Sequence, residues 1–214
     1  MKFTKLSLVA VLTATTMSST LVADEVELSA NVSATNNYVW RGMTQSANKT
    51  AVQGGLDVGY SGLYLGTWVS NVDFGSDATT EIDGYVGYGG EVAGIEYDLG
   101  YIQFAYLNEG DANFEEAYLG LSKDFGVASL GATYSIGIDD APDDIALEAA
   151  IGLPQDYSLD LGWGDYDTVG SRYSVGVSKS FDKVDFSLSY HEFTHDTTDS
   201  NDEKNIVVSV GTDF

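Results

Sequence analysis

The stretch NIVVSVGTDF, Asn205 to Phe214, alternates apolar with small or polar residues without a break. A period of two is typical of a β-strand with one apolar and one polar face. One face carries Ile206, Val208, Val210, Thr212 and Phe214, and the other carries Val207, Ser209, Gly211 and Asp213. Such a final strand leaves an open edge unless the sheet closes on itself. The stretch therefore predicts a barrel in which the last strand pairs with the first.

The composition agrees with a chain made of many short strands. The 214 residues include 24 Gly, 14 Tyr and 9 Phe but only 2 Pro. Disordered chains are poor in aromatic residues, and helices tolerate Gly badly, so both classes are disfavoured. The chain has no Cys, which excludes disulfides, thiolate metal sites and a cysteine nucleophile.

The amino-terminal region is typical of an export signal. Lys2 and Lys5 precede an apolar run, and small residues follow it up to Ala23. The run is too short to span a bilayer as a helix, so we predict a cleaved signal peptide, 1–23, and one domain, 24–214. The net charge of −24 disfavours nucleic acid as a partner and suits cations.

Twelve segments of about ten residues alternate in polarity, which predicts an all-β fold. Long connections alternate with short ones such as Ser61-Gly62 and Asp182-Lys183, a pattern typical of an antiparallel up-and-down outer-membrane β-barrel. A count of ten strands stays open if the first or fifth segment is divided wrongly. The predicted segments are 27–40, 51–60, 63–72, 81–90, 95–106, 114–122, 127–136, 145–153, 158–166, 172–181, 184–193 and 205–214.

The two faces of these segments and their aromatic residues favour a transmembrane barrel over a soluble one. In a bilayer the apolar face points to lipid and the polar face to a wet lumen. Aromatic residues gather at both ends of the strands, as expected for two membrane interfaces. The short-turn row comprises Tyr60, Tyr64, Tyr88, Phe125, Tyr157, Phe181 and Phe214. The long-loop row comprises Tyr38, Trp40, Phe74, Tyr106, Phe114, Tyr134, Tyr166, Tyr173 and Phe193.

One long segment of the sequence, Ala30 to Phe74, resembles the start of the TorF-type porins of proteobacteria. The matching features are Asn37-Tyr38 before Arg41-Gly42, then Thr44-Gln45, Gln53-Gly54-Gly55 and Asp57. Weaker matches follow at Glu81–Val92, Tyr97–Tyr106, Glu116–Ser122, Val175–Phe181 and Asp185–Tyr190, and the pattern departs most at 137–144. The resemblance implies pore formation in the outer membrane and brings no site residues with it.

The predicted lumen is acidic. Rings of carboxylates favour cations in a narrow aqueous channel. The predicted pore-lining acids are Asp57, Asp83, Glu96, Asp98, Glu116, Glu148, Asp160 and Asp185, and the bases at the outer mouth are Arg41 and Arg172. Arg41 either anchors an anionic substrate or lipid phosphate, or pairs with a lumenal carboxylate. The inward faces are also rich in Gly, which either leaves room for water or relieves crowding in a tightly curved sheet.

Residue types suggest two further candidates, a calcium site in the acidic loops and a catalytic pair on one strand. The acidic loops Asp139–Asp144 and Asp196–Glu203 offer oxygen ligands that calcium prefers, but neither has the spacing of an EF-hand, so no metal site is predicted. Ser189 and His191 share one strand face and form the strongest catalytic candidate. That face points to the lumen, away from lipid esters, and no Gly-x-Ser-x-Gly motif accompanies it. We expect the protein to have no enzymatic activity and to need no cofactor.

The sequence therefore predicts an outer-membrane channel for passive passage of small solutes or ions, with a preference for cations. The long acidic loops are expected outside and both termini in the periplasm. Expected partners are outer-membrane lipid and lipopolysaccharide, small solutes or cations, and the barrel-assembly machinery, which would read Phe214 as an assembly signal. The alternative is a non-conducting barrel with a structural or surface-interaction role. In that case side chains would fill the lumen.

Overall fold

The structure, a computed structural model, describes residues 26–197 and 201–214. The predicted signal peptide, 1–23, lies outside the described residues, as does part of the loop Asp196–Glu203. Among the described residues, no helix has the length and apolar character needed to cross a membrane.

Twelve antiparallel strands close into one barrel, which confirms the predicted fold and makes the count of ten wrong. Each barrel strand pairs with its neighbour in sequence. The short β2 and β3 form a separate two-stranded hairpin that is not part of the wall. The strands are β1 Glu27–Thr35, β2 Val39–Trp40, β3 Met43–Thr44, β4 Ala51–Tyr60, β5 Leu63–Asn71, β6 Thr80–Val92, β7 Ile95–Tyr106, β8 Phe114–Asp124, β9 Ala128–Ile138, β10 Asp144–Leu153, β11 Tyr157–Tyr166, β12 Gly170–Phe181, β13 Val184–His195 and β14 Glu203–Asp213.

The barrel closes where the alternation of the last ten residues predicted. β14 pairs with β1 from Asn31 opposite Asp213 to Thr35 opposite Ser209. Beyond the strand, the Phe214 amide donates to the Ala30 carbonyl over 2.8 Å. Closure satisfies backbone groups that would otherwise form an open edge in an apolar solvent.

The outward face of the barrel is apolar. Leu56, Leu65 and Leu188 are each more than half exposed, and similar residues alternate along every strand. Buried positions at the alternate sites carry many polar residues, among them Asp57, Ser70 and Ser189. This arrangement inverts that of a water-soluble barrel and fits a wall surrounded by lipid.

The first predicted segment, 27–40, is wrong at its second half. β1 ends at Thr35 because the side chain of Asn36 takes over the pairing with β14: its Nδ2 donates to the Ile206 carbonyl over 3.0 Å, and its Oδ1 accepts from the Val208 amide over 2.6 Å. Residues 37–46 of the following connection fold into the barrel and carry the β2–β3 hairpin, whereas residues 47–50 are exposed. This connection is therefore not an outside loop. The connection 167–169 is also shorter than predicted.

Only one of the two predicted aromatic rows faces outward as a row. Near the short turns Tyr60, Phe125 and Phe181 are exposed, although Tyr64 points into the lumen. Near the long connections, Phe74, Tyr134 and Tyr173 are exposed, whereas most of the row is buried inside the barrel. The buried members are Tyr38, Trp40, Tyr106, Tyr166 and Phe193. These rings fill the lumen at that end rather than forming an interface belt.

Candidate functional site

The candidate site is the lumen, and the hairpin β2–β3 crosses it. Arg41 and Gly42 form its two-residue turn with φ of 47° and 85°, the left-handed values that such tight hairpins require. Trp40 packs on Phe104 of β7 and on Tyr166 of β11. Tyr38 packs on Trp68 of β5, which lies opposite β11 in the ring. One short hairpin thus contacts opposite sides of the wall.

Polar side chains hold the base of the hairpin. Asn37 is buried and its Oδ1 accepts from the hydroxyls of Thr44 and Ser46, over 2.6 and 3.1 Å. Its Nδ2 donates to Asn205 Oδ1 of β14, and Asn205 Nδ2 donates to the Gly42 carbonyl over 3.2 Å. The hairpin is therefore hydrogen-bonded both to itself and to the seam strand of the barrel.

Arg41 is buried and completes an ion network. Its two terminal nitrogens donate to Glu116 of β8 over 2.6 and 2.7 Å, and its Nε lies 3.4 Å from Asp144 Oδ1 of β10. Arg172 of β12 donates to both oxygens of Asp144, over 2.6 and 2.9 Å. The guanidinium also lies 4.2 Å from the centre of the Trp40 ring. Of the two roles predicted for Arg41, the structure has the pairing with a lumenal carboxylate.

Both predicted mouth bases are thus neutralised by carboxylates. The acidic run Asp139–Asp144 is also used structurally, because Asp143 accepts from the Tyr134 hydroxyl over 2.6 Å and Asp144 binds the arginines. Within the described ranges, no group of three or more His, Cys, Asp and Glu residues is placed to hold a metal ion.

A second set of predicted acids is sealed into the wall formed by β4 to β8. Asp57 and Asp83 are almost fully buried, and Asp57 accepts from the Tyr85 hydroxyl over 2.5 Å. Glu81, which the sequence analysis missed, accepts from the Tyr38 hydroxyl over 3.3 Å. Burial first, and the nearby carboxylates second, raise the pKa of Tyr38 in the connection well above its usual value, so it stays a neutral donor.

Inward glycines on this wall are covered by tyrosines. A Cβ on Gly66 would collide with the Tyr85 ring and with Asp57 Oδ1. One on Gly87 would collide with the Tyr64 hydroxyl, and one on Gly100 with the Tyr118 ring. Of the two readings of inward Gly, these positions therefore relieve crowding; they do not leave water-filled space.

The wall formed by β10 to β13 is different, because small residues line it. A cavity of about 90 Å³ lies along it, roofed by Val39, Arg41 and Gly42 of the hairpin. Glu148 and Asp160, both predicted pore-lining acids, border this space. The other inward side chains around it are Ala146, Ala150, Arg172, Ser174, Ser187, Ser189 and His191.

The catalytic candidates Ser189 and His191 lie on this wall. Ser189 Oγ and His191 Nε2 are 2.8 Å apart, and both side chains are buried on the lumenal side, as predicted from strand parity. A carboxylate partner for the imidazole is not among the hydrogen bonds of the described residues. The pair is a lumen-lining contact that cannot reach a lipid ester on the outer surface.

The remaining predicted acids lie toward the short-turn end. Asp98 accepts from the Tyr64 hydroxyl over 2.7 Å. Glu96 is exposed and accepts from Ser122 over 3.1 Å, and Asp185 accepts from Ser180. Phe214, the predicted assembly signal, is exposed at the same end.

Comparison with known proteins places this geometry among outer-membrane barrels. A family model described as a bacterial protein of unknown function (Gcw_chp) matches residues 21–212. The KdgM porin superposes with a TM-score of 0.64 at 10% identity, covering 87% of this chain and 99% of that one. Outer membrane phospholipase A from Escherichia coli gives 0.54 at 11% identity, covering 86% and 89%. No curated protein matches the sequence. At these identities the structural matches establish the fold.

Proposed function

This chain belongs to the Gcw_chp family of bacterial proteins of unknown function, and we propose that its barrel is an outer-membrane channel for passive passage of small solutes or ions, with a preference for cations. The fold it shares with the KdgM porin supports a place in the outer membrane. The resemblance of Ala30–Phe74 supports a relation to the TorF-type porins. In this proposal the long connections other than 36–50 face outward, and both termini face the periplasm.

The observation that carries the proposal is the excess of acidic over basic side chains around the unfilled part of the lumen. Glu148 and Asp160 border the cavity, and Asp98 and Asp185 lie beyond it toward the short turns. Both arginines at the lumen are already matched by Glu116 and Asp144. Among the described lumenal residues, cations therefore meet carboxylates that have no salt-bridge partner, whereas anions meet no free base. Such a lining raises the local cation concentration.

The hairpin makes the proposed channel narrow. It occupies the lumen at the long-connection end, and the cavity of about 90 Å³ lies between it and β10 to β13. We expect a small single-channel conductance while the hairpin occupies the lumen. The acidic outer connections, including Asp139 and Asp140, would attract cations and could be bridged by divalent ions to lipopolysaccharide.

A second candidate function is a non-conducting barrel with a structural or surface role. The observation that favours it is the same hairpin, because Trp40 and Tyr38 pack against opposite walls. In that case the side chains would fill the lumen and the outer connections would carry the function.

Recording from single molecules in a planar bilayer under a KCl gradient tests the proposal. The sample is refolded protein shown to be folded by its heat-dependent migration on a denaturing gel. We expect discrete small steps and a reversal potential of the sign that K⁺ selectivity produces.

A matched variant separates the two candidates. Residues 38–44 are replaced by a Gly/Ser linker of equal length, which removes the crossing rings and Arg41. Current steps in the parent protein, with a larger amplitude in this variant, would support the channel. Silence from both folded proteins would establish the non-conducting alternative.

A further inference from the structure

The two sides of the lumen have different side chains. The packed wall, β4 to β8, presents large inward residues that form one buried cluster with Tyr38 and Trp40, including Trp68, Tyr85 and Phe104. The small-residue wall, β10 to β13, presents mostly Ala, Gly and Ser: Ala146, Ala150, Gly162, Ser174, Gly176, Ser187 and Ser189. Tyr166, Arg172 and Phe193 of the small-residue wall also reach the hairpin near the long connections. The small side chains farther along these strands are too short to fill the lumen, so the space is left beside them.

The free space follows this asymmetry. The barrel residues that line the cavity of about 90 Å³ come from β10, β11, β12 and β13. A buried water needs roughly 10–15 Å³, so the cavity has room for several of them. That is enough to keep an ion partly hydrated. Hydroxyls of Ser174, Ser187 and Ser189 provide oxygen atoms that can replace part of a hydration shell.

We propose that ions cross the barrel off its axis, along the small-residue wall, and that Glu148 and Asp160 set the charge preference. This inference rests on the proposed channel function. Asp57 and Asp83 share the inward face, but they are covered on the packed wall and ions do not contact them. Glu116 is already neutralised by Arg41. Of the eight predicted pore-lining carboxylates, Glu148 and Asp160 are the two that border the cavity along this wall.

The path is tested by cysteine accessibility, for which the natural absence of Cys gives a clean background. Ser174→Cys places a thiol on the small-residue wall. Ser70→Cys is the matched control: the same residue type on the inward face of β5, almost fully buried in the packed wall. Both refolded variants, with their fold verified by gel migration, are treated with a small cationic methanethiosulfonate and weighed by mass spectrometry. We expect the S174C variant to react at least about tenfold faster.

Charge selectivity is tested with isosteric variants. Glu148→Gln and Asp160→Asn should each lower the K⁺ to Cl⁻ permeability ratio by about twofold or more, because each removes a charge that ions contact. Asp57→Asn should leave the ratio within error. In the S174C variant, attachment of the reagent should also reduce the current.

The outcomes separate this inference from the channel itself. Equal labelling of the S70C and S174C variants, or selectivity lost in D57N and retained in E148Q and D160N, would overturn the off-axis path. A folded parent that passes no current would overturn the channel function. In that case the labelling rates of the S174C and S70C variants still show which of the two walls is accessible to water.

Discussion

At the residue scale, Arg41 ties the hairpin to the barrel. It is buried, contacts carboxylates from β8 and β10, and stacks beside Trp40. Burying a guanidinium is costly unless opposite charge and hydrogen bonds replace its water. Glu116 supplies both through two parallel bonds, the strongest geometry available to this pair. The hairpin position thus depends on a few charged atoms.

Glu116→Gln should destabilise the folded barrel by about 3 kcal/mol, because removing one partner of a buried ion pair leaves the other charge uncompensated. The measurement is tryptophan fluorescence during guanidinium unfolding of the refolded protein. The looser hairpin should also give larger or noisier current steps in the bilayer.

Lys49→Gln is the control, since it breaks an exposed pair with Asp73. The Lys49 ammonium lowers the pKa of Asp73, so the control pair is fully ionised at neutral pH. Its loss should leave the unfolding free energy close to that of the parent, because solvent screens an exposed ion pair. Similar effects from the two substitutions would contradict the role given to Arg41.

At the element scale, adjacent strands of the packed wall fit together through glycine and tyrosine. Tyr85 of β6 lies across Gly66 of β5 and donates to Asp57 of β4, so three neighbouring strands share one contact. The register places these three residues in one row. Glycine is required at the middle position because any Cβ there meets the ring.

Gly66→Ala should cost about 1–3 kcal/mol of unfolding free energy, since the added methyl group must displace Tyr85 and break its hydrogen bond to Asp57. Gly84→Ala is the matched control on the outward face of β6, where a Cβ meets no atom within 4 Å. That variant should be neutral or slightly more stable, because Gly in a strand costs more chain entropy than Ala. Denaturant midpoints compare both with the parent, and equal midpoints would refute the packing explanation.

At the scale of the whole molecule, apolar residues face outward and charge is concentrated in the lumen and the connections. The net charge is −24, and the lipid-facing surface is apolar. The acidic residues are therefore concentrated in the lumen and at the two ends of the barrel. Loop charges act at a distance through water, whereas Glu148 and Asp160 border the proposed path. The two contributions therefore respond differently to salt.

Cation preference should decrease as KCl rises from 0.1 to 1 M at a constant gradient ratio, because the Debye length falls from about 10 Å to about 3 Å and screens the loop charges. A residual preference for cations should remain at 1 M, because Glu148 and Asp160 lie next to the proposed ion path. Reversal potentials at both concentrations measure the preference. A preference that does not vary with salt would mean that the outer connections contribute nothing.

Strand parity predicted the faces of the wall better than it predicted the role of the aromatics. Tyr166 shares its parity with Asp160 and Gly162, so its inward direction could have been inferred, yet its position near a strand end suggested an interface belt. Tyr64 is the same case, with Gly66 beside it on the inward face. Residue type at a strand end does not separate a lipid-facing ring from one that fills the lumen.

The sequence by itself determined the barrel and its seam, and it favoured twelve strands while leaving ten open, because alternation and turn residues are local properties that the backbone must follow in lipid. Only the tertiary structure decided what occupies the lumen. The alternation of 27–35 runs on toward Trp40, and nothing local shows that Asn36 ends the strand. Whether Asp57, Glu116 or Glu148 meets water depends on partners from strands distant in sequence. Those contacts exist only after the ring has closed.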